Sequence, residues 1–173
     1  MIRWLRFYID VCLLKAGPQD APSSTSVQYL TVLAYWISGV VLTSLNQTLL
    51  AAIFIALVQT ILVLFFINLS LWIRKFPDRI IQTVTAFTGS GFIISLVALP
   101  VIVMLSQSDV TSNLIYSLFW VTLVIWETVV VANIFRHALE IPIYASMGVA
   151  LILMYMSFAI TLRFLKLMSV TLT

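Results

Sequence analysis

Between Val27 and Phe164 long apolar runs alternate with short polar breaks. Runs at 27–45, 48–73, 80–105, 114–135 and 141–164 each approach or exceed the about 20 residues that a helix needs to cross a hydrocarbon core about 30 Å thick. The breaks are Asn46-Gln47, RKFPDR (Arg74–Arg79), SQSDVTSN (Ser106–Asn113) and RHALE (Arg136–Glu140). The two-residue break makes the first two spans antiparallel neighbours. At 1.5 Å per residue the second and third spans measure about 39 Å, so they should tilt or extend beyond the core. Pro100 predicts a kink in the third span, because it has no N–H for the helix ladder.

Residues 1–26 read differently. IRWLRFYIDVCLLK (Ile2–Lys15) puts Arg3, Arg6 and Asp10 on one helical stripe and Trp4, Leu5, Tyr8, Ile9 and Leu13 around the rest. That pattern predicts an amphipathic helix lying in the membrane interface, too short and too charged to span. Gly17, Pro18 and Pro22 in AGPQDAPSS then break the helix, and Thr25 with Gln28 predicts a capping box for the first span. The predicted fold class is therefore all-α: a polytopic transmembrane helix bundle of about five spans, preceded by an N-terminal interfacial amphipathic helix. Residues 1–26 form the interfacial helix and linker, and residues 27–173 form the transmembrane domain.

Composition reinforces the pattern. Hydrophobic residues make up 62% of the chain and charged residues 9%, against about 25% charged in an ordinary soluble domain. Lipid must solvate much of that apolar surface. Asp10 and Lys15 interrupt any signal-peptide core, so targeting is expected to rest on the first span. Ile2 stands where myristoylation needs glycine, and Cys12 lies far from the C-terminus, so lipidation is not expected. The formal charge of +3 comes from residues spread between span ends, which reads as anchoring and orientation rather than as nucleic-acid binding. Arg3, Arg6 and Lys15, then Arg74, Lys75 and Arg79, then Arg136 fall on one side, while the alternate loops hold no Lys or Arg. This asymmetry predicts a cytoplasmic N-terminus and an external C-terminus, with Asp109 and Thr173 outside. Arg163 and Lys166 at the external end can snorkel.

The sequence shows no phosphate-binding Gly loop, His-Glu-x-x-His, paired carboxylates or nucleophile elbow. No catalytic residue, metal site or cofactor is expected. Cys12, the single cysteine, reads as a small apolar helix residue and excludes an intrachain disulfide. His137 and Glu140 supply two ligands at best, so His137 reads as an interfacial group pairing with head groups or Glu140. The tryptophans and tyrosines read as interfacial belts.

Glu127, in VIWETVV, is the sharpest single feature, because an acid inside a membrane helix is costly. Counting along the spans places it about 12 Å deep. Asn68, Thr85, Thr88 and Ser146 fall near that depth, and an intramembrane polar cluster of these five residues is expected. As a structural hydrogen-bonding group, Glu127 should tolerate Gln, while Leu would cost about 1 to 2 kcal/mol. Gln59 and Gln82 should bond between helices. Two stretches rich in small residues, TAFTGSG (Thr85–Gly91) and YASMGVA (Tyr144–Ala150), predict that the third and fifth spans form the packed centre. Ala86, Ser90, Ser146 and Ala150 sit at contact spacing there.

KAGPQD and RHALE fall on the same predicted side. Gln19, Asp20, Arg136, His137 and Glu140 are the candidate partner-docking residues, the first two presented by a restricted Gly-Pro segment and the last three at one helical turn's spacing.

Lys15–Asp20 (KAGPQD) after an interfacial helix, and Asn133–Pro142 (NIFRHALEIP) before a last span, resemble bacterial membrane proteins of the Yip type. The resemblance implies five spans, a cytoplasmic N-terminus, no catalytic residues and work done through contacts with other proteins. The eukaryotic branch carries an Asp-Leu-Tyr-Gly-Pro motif and engages small GTPases. Only Gly17 and Pro18 match that motif here, so a GTPase partner does not carry over. The function expected is a non-enzymatic accessory subunit or scaffold of a larger inner-membrane assembly, with the lipid bilayer and other integral membrane subunits as partners. The alternative is a small transporter or channel with Glu127 near its pathway.

Overall fold

A computed structural model describes the backbone of residues 2–107 and 110–171, with side chains over 4–105 and 114–164. Among the described residues there are six α-helices and no strand. These are α1 (Ile2–Cys12), α2 (Thr25–Ser44), α3 (Leu49–Ile73), α4 (Ile80–Gln107), α5 (Val110–Leu139) and α6 (Ile143–Thr171), with short 3-10 turns at Pro18–Asp20 and Pro77–Arg79. The last five are long and apolar enough to cross a membrane. The expected Asp109 and Thr173 positions, and the side chains of Arg3 and Lys166, lie outside the described residues.

The polar breaks are shorter than the sequence suggested. Helix α4 continues to Gln107, running through Pro100, and α5 resumes at Val110. Arg136 and His137 belong to the last turn of α5 rather than to a loop. Cations there complement the negative end of the helix dipole, which explains why the helix tolerates them. The Thr25–Gln28 capping box does not form. Ser24 is the N-cap of α2, and its side chain makes no capping bond.

Three helices end on a non-glycine residue at positive φ: Leu14 (62°), Lys75 (61°) and Glu140 (53°). Each is followed by an N–H that reaches back five residues to a carbonyl: Lys15 to Asp10, Phe76 to Leu71 and Ile141 to Arg136. This left-handed cap satisfies carbonyls that would otherwise be orphaned at the helix end. It usually recruits glycine, so the residue types at these ends carry no signal for it.

Helix α4 sits at the centre, against α1, α2 and α5, while α6 lies against α5 and α3. Positions 83–90 of α4 are buried throughout. Their hydroxyls bond back to carbonyls one turn earlier: Thr83 to Arg79, Thr85 to Ile81, Thr88 to Val84 and Ser90 to Ala86. Polar side chains thereby enter the core at little cost. The small-residue stripe of α6 is also buried at Ser146 and Ala150, but it packs mainly on α5. The third span is the centre, and the fifth does not share that role. Below the level of Phe87 the bundle is filled, with Phe135 in edge contact with Phe66 (5.9 Å between centroids) and Phe87 (6.4 Å).

Helix α1 turns Tyr8, Val11 and Cys12 onto α4 and α5 and leaves Trp4, Leu5, Ile9 and Leu13 exposed. Tyr8 lies over Gly89, where a Cβ would overlap its ring. The Trp126 indole donates to the Cys12 carbonyl at 2.9 Å, and the Cys12 thiol reaches the Ser90 carbonyl at 3.6 Å. Outward faces elsewhere are apolar, as at Phe65 (61% exposed), Leu114 (67%) and Tyr155 (73%). In water these would drive aggregation, so lipid covers them.

Candidate functional site

The two segments singled out for docking meet in space. The Pro18–Asp20 turn packs on α4 and on the end of α5. Gln82, one turn into α4, donates its amide to the carbonyls of Ala21 (3.2 Å) and Gln19 (3.4 Å). Pro18 and Ala21 are buried beneath the turn. The turn is closed reciprocally: Asp20 N–H donates to the Gly17 carbonyl at 3.1 Å, and Gly17 N–H donates to Asp20 Oδ2 at 3.0 Å. Asp20 therefore shapes the turn through one carboxylate oxygen, and its side chain stays exposed.

Between this turn and the end of α5 lies a cleft of ≈ 410 Å³ lined by Gln19, Arg79, Arg136, His137, Glu140 and Ile141. A narrow extension reaches Pro18, Gln82 and Thr83. The structure thus brings together Gln19, Arg136, His137 and Glu140. Arg79, Gln82 and Thr83 join them, although the sequence pointed to none of the three as docking residues. Their signal was positional: residues 79, 82 and 83 share one face at the start of α4, one turn apart.

Glu140 does not pair with His137. Its carboxylate accepts from Arg79 at 2.6 Å, because the left-handed cap swings residue 140 toward the Pro77–Arg79 turn. Arg74, on the same connection, donates from Nε (3.3 Å) and Nη2 (3.0 Å) to the Leu139 carbonyl. Two arginines read only as orientation signals thus clamp the end of α5, where the helix dipole favours positive charge. His137 Nδ1 lies 2.9 Å from the Asn133 carbonyl. A carbonyl only accepts, so Nδ1 carries the proton and Nε2 is left for the cleft. With Arg79 and Glu140 paired, Arg136 and His137 set the character of the remaining surface. Arg136 makes no ion pair among the described residues. The cleft suits a carboxylate or phosphate more than a cation.

The expected intramembrane cluster does not assemble. The Thr88 hydroxyl, whose proton goes to the Val84 carbonyl, lies 3.0 Å from the Thr31 hydroxyl on α2. Asn68 is exposed and bonds the Leu64 carbonyl, Thr85 bonds Ile81 and Ser146 bonds Ile143. None lines the cavity that Glu127 lines. Depth along a helix had matched them, but each residue turns the helix by about 100°, and equal depth does not imply a common face. The glutamines do bridge: Gln59 of α3 donates to the Ser157 carbonyl at 3.0 Å and to the Thr161 hydroxyl of α6, and Gln82 ties α4 to the linker.

Among the described residues no group of three potential ligands could hold a metal. The fold and its polar end define a multi-pass helical membrane protein. No family model, curated protein or solved structure matches the chain.

Proposed function

We propose that the chain is a non-enzymatic accessory subunit of a larger bacterial inner-membrane assembly, of the Yip type. The cleft end would face the cytoplasm, and a partner subunit would dock into the cleft. One observation carries this reading: Gly17–Ala21 and Arg136–Ile141, far apart in sequence, converge on a single polar cleft. A partner carboxylate seated there would gain charge-assisted hydrogen bonds from Arg136 and His137. The turn beneath it is already fixed by its own hydrogen bonds, so binding orders little further chain. The orientation rests on the basic residues of that end. Apolar faces along α2, α5 and α6 offer further contact to neighbouring helices.

Extraction from native membranes in a mild detergent tests the reading. A single partner should co-purify in stoichiometric amount, and Arg136→Ala should reduce its recovery at least fivefold without changing the thermal unfolding of the isolated chain. Equal recovery from wild type and Arg136→Ala would return the residue to a head-group anchor. A transporter reading is favoured by the Glu127 cavity alone, and a liposome flux abolished by Glu127→Gln would select it.

A further inference from the structure

The half of the bundle away from the Pro18–Asp20 turn is not filled. Two overlapping lobes, of ≈ 260 and ≈ 540 Å³, share Tyr35, Gln59, Trp120, Val124, Glu127 and Thr161. The wider lobe has the size of a small-molecule site, which runs from about 300 to about 1,000 Å³. The wider lobe is mostly apolar, with Phe87, Leu153 and Phe158 in its wall. Glu127 is partly buried, with the residual exposure of a side chain that lines a cavity.

The carboxyl of Glu127 makes no hydrogen bond or ion pair among the described residues. Several polar groups of the two lobes are engaged elsewhere: Gln59 and Thr161 bond to each other and to Ser157. Thr60 bonds the Ala56 carbonyl and Ser95 the Gly91 carbonyl. Tyr35 lines both lobes with Glu127. An acid held inside a membrane bundle without a partner is costly, and such groups mark binding sites or pathways. An apolar, aromatic chamber around one carboxyl has a definite complement. Trp120 and Tyr35 line the chamber with aromatic rings, a residue type whose faces attract cations, Glu127 supplies the opposite charge, and the walls take an apolar body.

We propose that this cavity binds an organic cation, a positively charged group carried on an apolar, ring-sized body, with Glu127 as the counter-charge. The site is separate from the polar cleft, and its occupancy does not depend on a docked partner.

The test is equilibrium binding of radiolabelled tetraphenylphosphonium to the full chain in nanodiscs of zwitterionic lipid, with empty nanodiscs as the blank. The wild type should bind saturably, about one ligand per chain. Glu127→Gln should weaken binding at least tenfold and Trp120→Leu severalfold, while Arg136→Ala should leave it unchanged. Because Glu127 holds no partner, Glu127→Gln and Glu127→Leu should both unfold at the wild-type temperature. This replaces the expectation that leucine is damaging. A second measurement needs no variant: tetraphenylphosphonium should protect Glu127 from modification by dicyclohexylcarbodiimide, read on the peptide that contains it. Uptake no greater than the blank, wild-type affinity in Glu127→Gln, or equal modification with and without the cation would each overturn the proposal.

Discussion

Replacing Lys75 with glycine should stabilise the protein. Lys75 is exposed and holds a φ of 61° at the end of α3, a conformation that costs a residue with a Cβ about 1 to 2 kcal/mol. Glycine adopts it freely but loses more entropy on folding, so the net gain expected is about 0.5 to 1 kcal/mol. Thermal unfolding in detergent checks this, and a lower midpoint for Lys75→Gly would contradict the cap geometry. Glu140 occupies the same conformation, yet glycine there would also remove the bond to Arg79. That pair is half exposed, and such pairs contribute about 1 kcal/mol or less. Residue types were a fair guide to which positions matter and a poor guide to their partners. Asp20 and Glu140 were both legible as polar groups on one side. That Asp20 closes its own turn and Glu140 takes Arg79 depends on backbone angles that no residue type announced.

The docking of α1 is the element-scale feature with the clearest handle. Cys12 is buried beneath α1, and burial pushes its thiol up to about 11. The thiolate is the reactive form, so a maleimide at pH 8 should label native protein slowly and unfolded protein quickly. Gly89→Ala forces a methyl group into the Tyr8 ring and should lift α1, raising the Cys12 labelling rate at least tenfold. Tyr8→Ala in the same chain should restore much of the protection, since it removes the clashing ring. Unchanged labelling in Gly89→Ala would show that α1 is not held where the structure places it. The helix was legible from its amphipathic pattern and its seat was not. The pattern showed an apolar face without saying whether lipid or α4 covers it, and Tyr8, Val11 and Cys12 turn out to face protein while Trp4, Leu5 and Ile9 do not.

At the scale of the molecule, five spans follow from run length alone, because a membrane admits few ways of satisfying a backbone. Their boundaries moved by about two residues or fewer at most ends, by about four at each end of α5, which absorbed Arg136 and His137, and by about seven at the end of α6. Which spans touch was less visible. The short Asn46-Gln47 link made α2 and α3 neighbours, as they are. The match in small residues between α4 and α6 suggested a contact that α5 instead mediates. The filled half and the open half of the bundle could not be read from sequence, since both are lined by the same apolar residue types. The polar cleft was half legible: KAGPQD and RHALE were placed on one side by charge asymmetry, while Arg79, Gln82 and Thr83 entered only through the packing of the Pro18–Asp20 turn onto α4. If the protein works through that cleft, a photo-crosslinking residue at Ile141, on its wall, should capture one defined partner in native membranes. The same residue at Phe65, on an exposed apolar face of α3, should capture that partner at least tenfold less, and Arg136→Ala should abolish the Ile141 product. Equal capture from Ile141 and Phe65, or an Ile141 product indifferent to Arg136→Ala, would contradict a docking role for the cleft.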